Sequence, residues 1–566
     1  MKEKITDLKD MLNKTKEIYG DNPAYKIRKP EGGYQIITHR EVREMVDYLG
    51  TALCSLGLKD KKIAVIGENR YEWGISYLSI VCGTGIVVPL DKALPENELE
   101  RLIERSEIHA IFFSKKYLET VKKIKLNKNN KLEYLISMDL DKKEEDVYSQ
   151  KELIFLGKKL VDEGHKEFLE AKIDPNKMSI MLFTSGTTSE SKVVALSHTN
   201  ICSNLMDLGN TLDVTSKDIL LSVLPLHHVF ECTVGLLFSL YVGAQTVFCD
   251  GIKHIAENLR EYKASIMFCV PGIYERIFMM IRKNIEKAGK LEEFLKMEEK
   301  AKSVSMEERK EIFKPIHDML GGNIKMFASG AAALDSKIEE QYRLIGINLV
   351  QGYGLTEASP VIAVGTKENY RLGSIGKVLP SVKAKIVNVN SDNMGELVVK
   401  GPNVMLGYYK NEKATEEALK DGWLYTGDLA KIDEDGFIYI CGRKKSVIVL
   451  KNGKNIFPEE MESLINKIEG VEESFIFGKK ISEDKENIKI NVKIVFNRNT
   501  MKELYNVETD EKIHSIFAEK IKEINTNMPK YKSIKKIIIT EKPLIKTTTN
   551  KIKRQLNLDE IEKSKN

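Results

Sequence analysis

The chain has 566 residues, too many for one ordinary hydrophobic core, so two or more domains are expected. Its 88 basic and 83 acidic residues leave a net charge of +5, which gives no electrostatic footprint for nucleic acid. No run reaches the ~20 apolar residues of a membrane span. The charged start MKEKITDLKDML lacks the apolar region of a secretory signal. The seven cysteines are scattered and odd in number, the pattern of reduced thiols and not of a disulfide or zinc framework. A cytoplasmic location is the expectation.

Along the chain, strands and helices alternate. Residues 62–67 (KIAVIG) read as a buried strand followed by a helix from about Arg70. The most apolar window, 75–90, is broken by two glycines and predicts a buried helix, a turn and a strand. Further strands are predicted at 110–114, 178–183, 220–224, 245–249 and 266–270, with helical periods at 200–212 and 255–262 between them. Such alternation predicts parallel α/β sheets. Residues 283–318 are densely charged and read as an inserted helical hairpin. After about Gly376 short β runs predict a β-rich subdomain. From 445 to about 553 a separate βα pattern begins, and the charged tail 557–566 is expected to be disordered.

The most informative segment is FTSGTTSESKVV, Phe183 to Val194. Thr184, Ser185, Thr187 and Thr188 offer hydroxyl donors, Gly186 lets backbone N–H groups approach an anion, and Lys192 adds a cation, a set suited to polyphosphate. It is not the common P-loop, because Lys192 stands between Ser191 and Val193, without the preceding Gly or the following Ser or Thr. In LPLHHVFE the adjacent His227 and His228 follow a strand end; no Cys or carboxylate stands at ligand spacing, so a structural pair is favoured over a metal site. In QGYGLTEASP the Tyr353 ring can stack on a purine, Thr356 can bond a phosphate and Glu357 can hold Mg²⁺. In DGWLYTGD, Asp428 can accept both ribose hydroxyls, and Arg443 of GRKK can add contacts. Taken by itself, the lysine cluster KTTTNKIKR reads as a solvated face.

These pieces, in this order and spacing, resemble the adenylate-forming superfamily of acyl-CoA synthetases, luciferases and peptide-synthetase adenylation domains. LPLHHVFE, VPGIYERI, GPNVMLGYYKNEKAT and LKNGKNIFPEEME resemble its long-chain fatty acid–CoA ligase branch. The resemblance implies an α/β protein: a large N-terminal AMP-binding domain of stacked α/β sheets (1–442, its β-rich subdomain about 376–442), a hinge at 443–445 and a small mobile C-terminal α+β lid domain at 446–556. It implies ATP, Mg²⁺ and coenzyme A as partners of a fatty acid. Ser185, Gly186, Thr187, Thr188 and Lys192 would wrap the phosphates with Thr184. Gly330, Gln351, Gly352 and Tyr353 would hold adenine, Thr356 the α-phosphate, and Asp428 and Arg443 the ribose. Lys445 would be the hinge lysine. Catalytic work would fall to Lys551, Glu357, Thr184 and His228, with Glu357 and Thr184 on the metal.

The chain departs from the family pattern at Ser189, Ser191, Val193, Ser446, Ile545 and Asn550. The reaction implied is activation of a long-chain fatty acid to acyl-adenylate and transfer to CoA. Transfer to acyl carrier protein, with 530–536 (KYKSIKK) either a carrier-binding patch or a solvated face, is an alternative. Others are a ligase for another carboxylic acid and a non-catalytic acyl-adenylate or ATP binder. Handling long chains would also suit peripheral membrane contact.

Overall fold

The computed structural model describes residues 3–184, 192–450, 454–480, 488–547 and 551–563. Two large sheets dominate. In a nine-stranded sheet, the strands Leu349–Gly354, Met326–Ser329, Ile266–Cys269, Ile219–Ser222, Gln245–Phe248 and Pro23–Arg28 run parallel, with antiparallel strands added at both edges. In an eight-stranded sheet, Met178–Thr184, Gly85–Pro89, Lys61–Ile66, Ala110–Phe113, Tyr134–Ser137 and Val147–Ser149 are parallel, and Lys192–Ser197 and Gly407–Tyr408 close one edge in antiparallel pairing.

The strand sequences carry almost no polar alternation because both sheet faces are covered. In Lys61–Ile66, Ile63 and Val65 face the helices shared by the two sheets, while Ala64 and Ile66 face the outer layer. In the other sheet Leu220 and Phe268 point inward, and Leu221 and Met267 outward. The result is helix, sheet, helix, sheet, helix. The central helices His39–Ser55 and His198–Thr211 begin with capping boxes from Thr38–Glu41 and Ser197–Asn200. The window 75–90 forms the helix Tyr71–Ser79, a π-helical turn Ile80–Thr84 and the strand Gly85–Pro89, as its glycines predicted.

The charged segment after Pro271 is more than a hairpin. Four helices follow one another, Pro271–Lys287, Leu291–Ala301, Met306–Ile312 and Lys314–Met319, and bury Phe294, Ala301 and Phe313 against the outer face of the nine-stranded sheet. Residues 383–443 form a five-stranded antiparallel sheet. Beyond it, Val471–Lys480, Ile488–Phe496 and Ile534–Thr540 make a three-stranded sheet covered by the helices Pro458–Ile465 and Asp510–Thr526.

The expectation of a disordered tail is corrected. Arg554–Lys563 is a helix with Asn557 and Ile561 buried, and Ile561 joins Phe475, Phe477 and Val495 on the second face of the small sheet. A charged stretch orders here because Ile561 and Leu558 pack against the sheet, while Leu556 stays exposed. Among the described residues, no helix is long and apolar enough to cross a membrane.

Candidate active site

The strands Met178–Thr184 and Lys192–Ser197 form a hairpin in which Thr184 pairs with Lys192. The register places Thr184 and Lys192 side by side at the base of the hydroxyl-rich loop. Ser185, Gly186, Thr187, Thr188, Ser189 and Ser191 lie outside the described residues. Val193 is in the hairpin strand, 2% exposed, with its side chain in the outer core, which accounts for a branched residue at that position.

Opposite the hairpin, the strand Leu349–Gly354 ends in the nucleotide motif. Gln351 is buried and donates from Nε2 to Glu339 Oε2 at 2.9 Å, while its Oε1 accepts from the Leu334 amide at 3.4 Å. This ties the loop that follows Gly330 to the strand. A side chain at Gly330 would press on the Phe230 ring at 3.1 Å. At Gly354 a Cβ would meet the Pro360 carbonyl at 1.9 Å, so only glycine lets the chain turn into the Thr356–Ala358 helical turn that carries Glu357.

The predicted ribose group is assembled around one carboxylate. Tyr353 donates its hydroxyl to Asp428 Oδ2 at 2.5 Å, and Arg443 Nε lies 2.9 Å from Asp428 Oδ1. Asp428 is buried, and desolvation raises its pKa against the pull of Arg443, Tyr353 and Lys551. Burial and the neighbouring Asp428 push Tyr353 well above the usual phenol range, so it stays a donor. Lys445 is exposed, two residues beyond Arg443. Ser446 donates its amide to the Arg443 carbonyl at 3.0 Å in the same turn.

Glu357 receives the Tyr408 hydroxyl on Oε1 at 2.8 Å; its Oε2 makes no hydrogen bond to any described residue. That leaves one carboxylate oxygen for Mg²⁺, which takes one or two protein carboxylates together with phosphate oxygens. Tyr408 is a site residue the motif reading missed. It stands on the edge strand Gly407–Tyr408, paired with Lys192–Ser197, and the Lys192 ammonium lies 4.6 Å from the centre of its ring. Asn200 holds the preceding loop by donating to the carbonyls of Pro402 and Val404, each at 2.8 Å. The run GPNVMLGYYKNEKAT contained Tyr408, but only the pairing of two distant strands brings it to Glu357.

Lys551 enters from the small domain. It remains accessible to water, yet the surrounding protein lowers its pKa: desolvation acts first and Arg443 second, while Asp428 and Glu357 pull the other way. Its loop is tied down by the Thr547 amide on the Lys551 carbonyl at 2.8 Å and the Lys551 amide on Thr547 Oγ1 at 3.1 Å. Ile545, where the family usually has Pro, uses the amide that a proline would lack: it donates to Asn557 Oδ1 at 3.0 Å. Asn550 lies outside the described residues.

Lys551 also acts electrostatically on His228, the second of two adjacent histidines. His228 is nearly buried and is driven down to about 3 by desolvation, then by His227 and, after the opposing Asp91, by Lys551. His227 Nε2 is 3.4 Å from Asp91 Oδ1, and the two imidazoles are 4.1 Å apart. Glu231, one turn on, is 1% exposed and is pushed up to about 8 by burial, despite help from the Ser222 hydroxyl and the Leu224 backbone. Its Oε1 has no hydrogen-bond partner among the described residues. The sequence marked His228 but gave no sign that Glu231 would be buried. Among the described residues no cluster of His, Cys, Asp or Glu is arranged to hold a metal ion by itself.

The fold recurs elsewhere. Residues 12–409 match the family model "AMP-binding enzyme", and 445–564 match "AMP-binding enzyme C-terminal domain". Long chain acyl-CoA synthetase 4 of Arabidopsis thaliana is 30% identical over 83% of this chain and 76% of its own length. Long-chain-fatty-acid–CoA ligase 6 of Mus musculus is 29% identical over 81% of this chain and 70% of its own. Among solved structures, the anthranilate CoA ligase AuaEII in complex with anthranoyl-AMP superposes with a TM-score of 0.75 at 19% identity, covering 98% of this chain and 97% of that one. The o-succinylbenzoate CoA synthetase of Bacillus subtilis with ATP and magnesium gives a TM-score of 0.72 at 20% identity, covering 97% of this chain and 99% of that one. The chain belongs to the AMP-binding, adenylate-forming enzyme family, and it resembles the long-chain acyl-CoA synthetases within it.

Proposed function

We propose that this protein is an ATP-dependent ligase that activates a long-chain fatty acid as its acyl-adenylate and transfers the acyl group to coenzyme A. The observation that carries the reading is the convergence of Lys551 on Asp428, Glu357 and Arg443 from a separate domain. In the first step a carboxylate oxygen attacks the α-phosphorus of ATP, the bond to the β-phosphate oxygen breaks, and pyrophosphate leaves. Two anions meet, so cations must stand where charge accumulates. Lys551 supplies one at the α-phosphate, and Lys192 stands at the hairpin base beside the predicted phosphate loop. Glu357, whose Oε2 has no hydrogen-bond partner among the described residues, and the Thr184 hydroxyl would hold Mg²⁺, which when bound neutralises phosphate oxygens. Tyr353 stacks on the purine, and Asp428 with Arg443 fixes the ribose.

In the second step the CoA thiolate attacks the acyl carbonyl, the carbonyl–phosphate oxygen bond breaks, and AMP leaves. The thiol proton passes to solvent. The mixed anhydride is already activated, so positioning is the protein's main contribution to this step. A pivot of the small domain at the Lys445 hinge would withdraw Lys551 and open the way for CoA. We assign the neutral His228, Phe230 and the buried Glu231 to the acyl side of the site.

The test is AMP and thioester formation with acetate, octanoate, palmitate and an aromatic acid. Palmitate-dependent AMP and palmitoyl-CoA that collapse in Lys551→Ala are the expected outcome. AMP without thioester until acyl carrier protein is added would move the acceptor; no AMP with any acid would overturn the reading.

A further inference from the structure

The small domain touches the large one at a point unrelated to the reacting atoms. Lys467, in the turn after the helix Pro458–Ile465, makes an ion pair with Asp335, which is mostly covered, whereas Lys467 is about half exposed. Among the described residues, this is the one ion pair that joins residues beyond the hinge to the large domain. A second acid faces it. Glu275, on the helix Pro271–Lys287, feels Asp335 as a repelling neighbour and Lys467 as an attracting one. Asp335 works twice, because its Oδ1 also caps the helix Ser336–Leu344 at the Lys337 amide, at 3.0 Å.

Asp335 also has a position that matters. It stands five residues after Gly330, and the Leu334 amide before it is bonded to Gln351. The helix it caps carries Glu339, which holds the other end of Gln351. A cation on Asp335 is therefore anchored to the loop and strand that form the adenine platform. Without Lys467 the two acids would lose the cation they share and Asp335 would keep the weaker pull of Lys337, so the lysine favours the closed arrangement over any in which it is withdrawn.

We propose that Asp335 and Lys467 form a positioning contact that selects the domain orientation delivering Lys551 to the nucleotide, and that this contact must open before the second step. The inference rests on the two-step reading above. The pair touches no substrate; it acts through the orientation of the small domain. A single pair of this exposure shifts an orientation equilibrium by a modest factor.

The experiment separates the half-reactions in Lys467→Met, Asp335→Asn, the double variant and Lys467→Glu. Asparagine keeps the cap on Lys337 while removing the charge. Adenylation is read as palmitate-dependent pyrophosphate–ATP exchange, and thioester formation from supplied palmitoyl-AMP and CoA. Each single variant should lower adenylation by about twofold to fivefold and leave thioester formation unchanged or faster. The double variant should be no worse than either single, and Lys467→Glu, placing a third acid beside Asp335 and Glu275, should be the slowest. A readout independent of substrate is tryptic cleavage within the exposed 443–445 hinge, expected to quicken in Lys467→Met and Lys467→Glu. Additive single effects, equal losses in both half-reactions, or an unchanged cleavage rate in Lys467→Glu would overturn the proposal. Failure of the wild-type protein to adenylate palmitate would instead overturn the functional reading, and the cleavage comparison would still decide the contact.

Discussion

The two ends of the candidate site treat ionisable groups in opposite ways. At one end, Asp428 is buried but sits against Arg443 and Tyr353, with Lys551 adding a cation to the same field. At the His228 end, the histidine is pushed down to about 3 and Glu231 up to about 8, so near pH 7 a histidine and an acid are both neutral. One end holds charge by supplying partners; the other removes charge by withholding water and partners. The difference suits the proposed pairing of a polyanion with a hydrocarbon: charge is compensated beside Asp428 and suppressed beside His228.

Removing charge from the Asp428 end should break the contrast most severely. Lys551→Ala should slow adenylation by about 100-fold to 1,000-fold, the usual cost of losing one preorganised donor at a developing anion, with thioester formation from acyl-AMP reduced far less. Because Lys551 sits below the ordinary lysine range, its cation is lost as pH rises through a value lower than usual. Adenylation should fall earlier on the alkaline side than a free lysine would give, and Lys551→Arg should push that limb to higher pH. Asp428→Asn leaves Arg443 and the Tyr353 hydroxyl without their anion; a rise of about tenfold to 100-fold in the KM for ATP is expected, measured at saturating palmitate. Tyr408→Phe frees Glu357 Oε1, and its smaller expected effect is about tenfold, appearing as a higher Mg²⁺ requirement.

The His228 end offers the mildest test. Glu231→Gln should change turnover at pH 7 by less than about twofold, because the native side chain is already uncharged. Its signature lies in stability. The folded protein keeps the Glu231 proton up to about 8, whereas an unfolded chain releases it above its ordinary value of 4.5. The contribution is full below 4.5 and is lost as pH rises toward 8, so the wild type should lose melting temperature over that window relative to Glu231→Gln. His39 and His198, held at about 4, act in the reverse sense: the unfolded chain takes their protons first, so stability should fall as pH drops below 6.5.

Local chemistry was legible wherever a short run of residues does the whole job. The apolar strand 62–67, the broken window 75–90 and the motif at 351–360 each carry their reason in adjacent positions. Tyr408, Glu231 and the Asp335–Lys467 pair were not legible, since each depends on segments that meet only after the sheets are built. The helix Arg554–Lys563 was misread for a related cause. Its composition is that of a solvated tail, and nothing in it announces that Phe475 and Phe477 wait to cover Ile561. Ile545 also ran against pattern, and the explanation lay in a partner twelve residues away.

That last helix has a practical consequence. Through Asn557, which binds both the amide and the carbonyl of Ile545, it splays the chain into the loop that presents Lys551. A protease that nicked the chain near 554, or a bulky fusion that unwound this turn, would leave the nucleotide platform intact and silence it from a distance. The segment that looks most dispensable by composition works as the splint for Lys551.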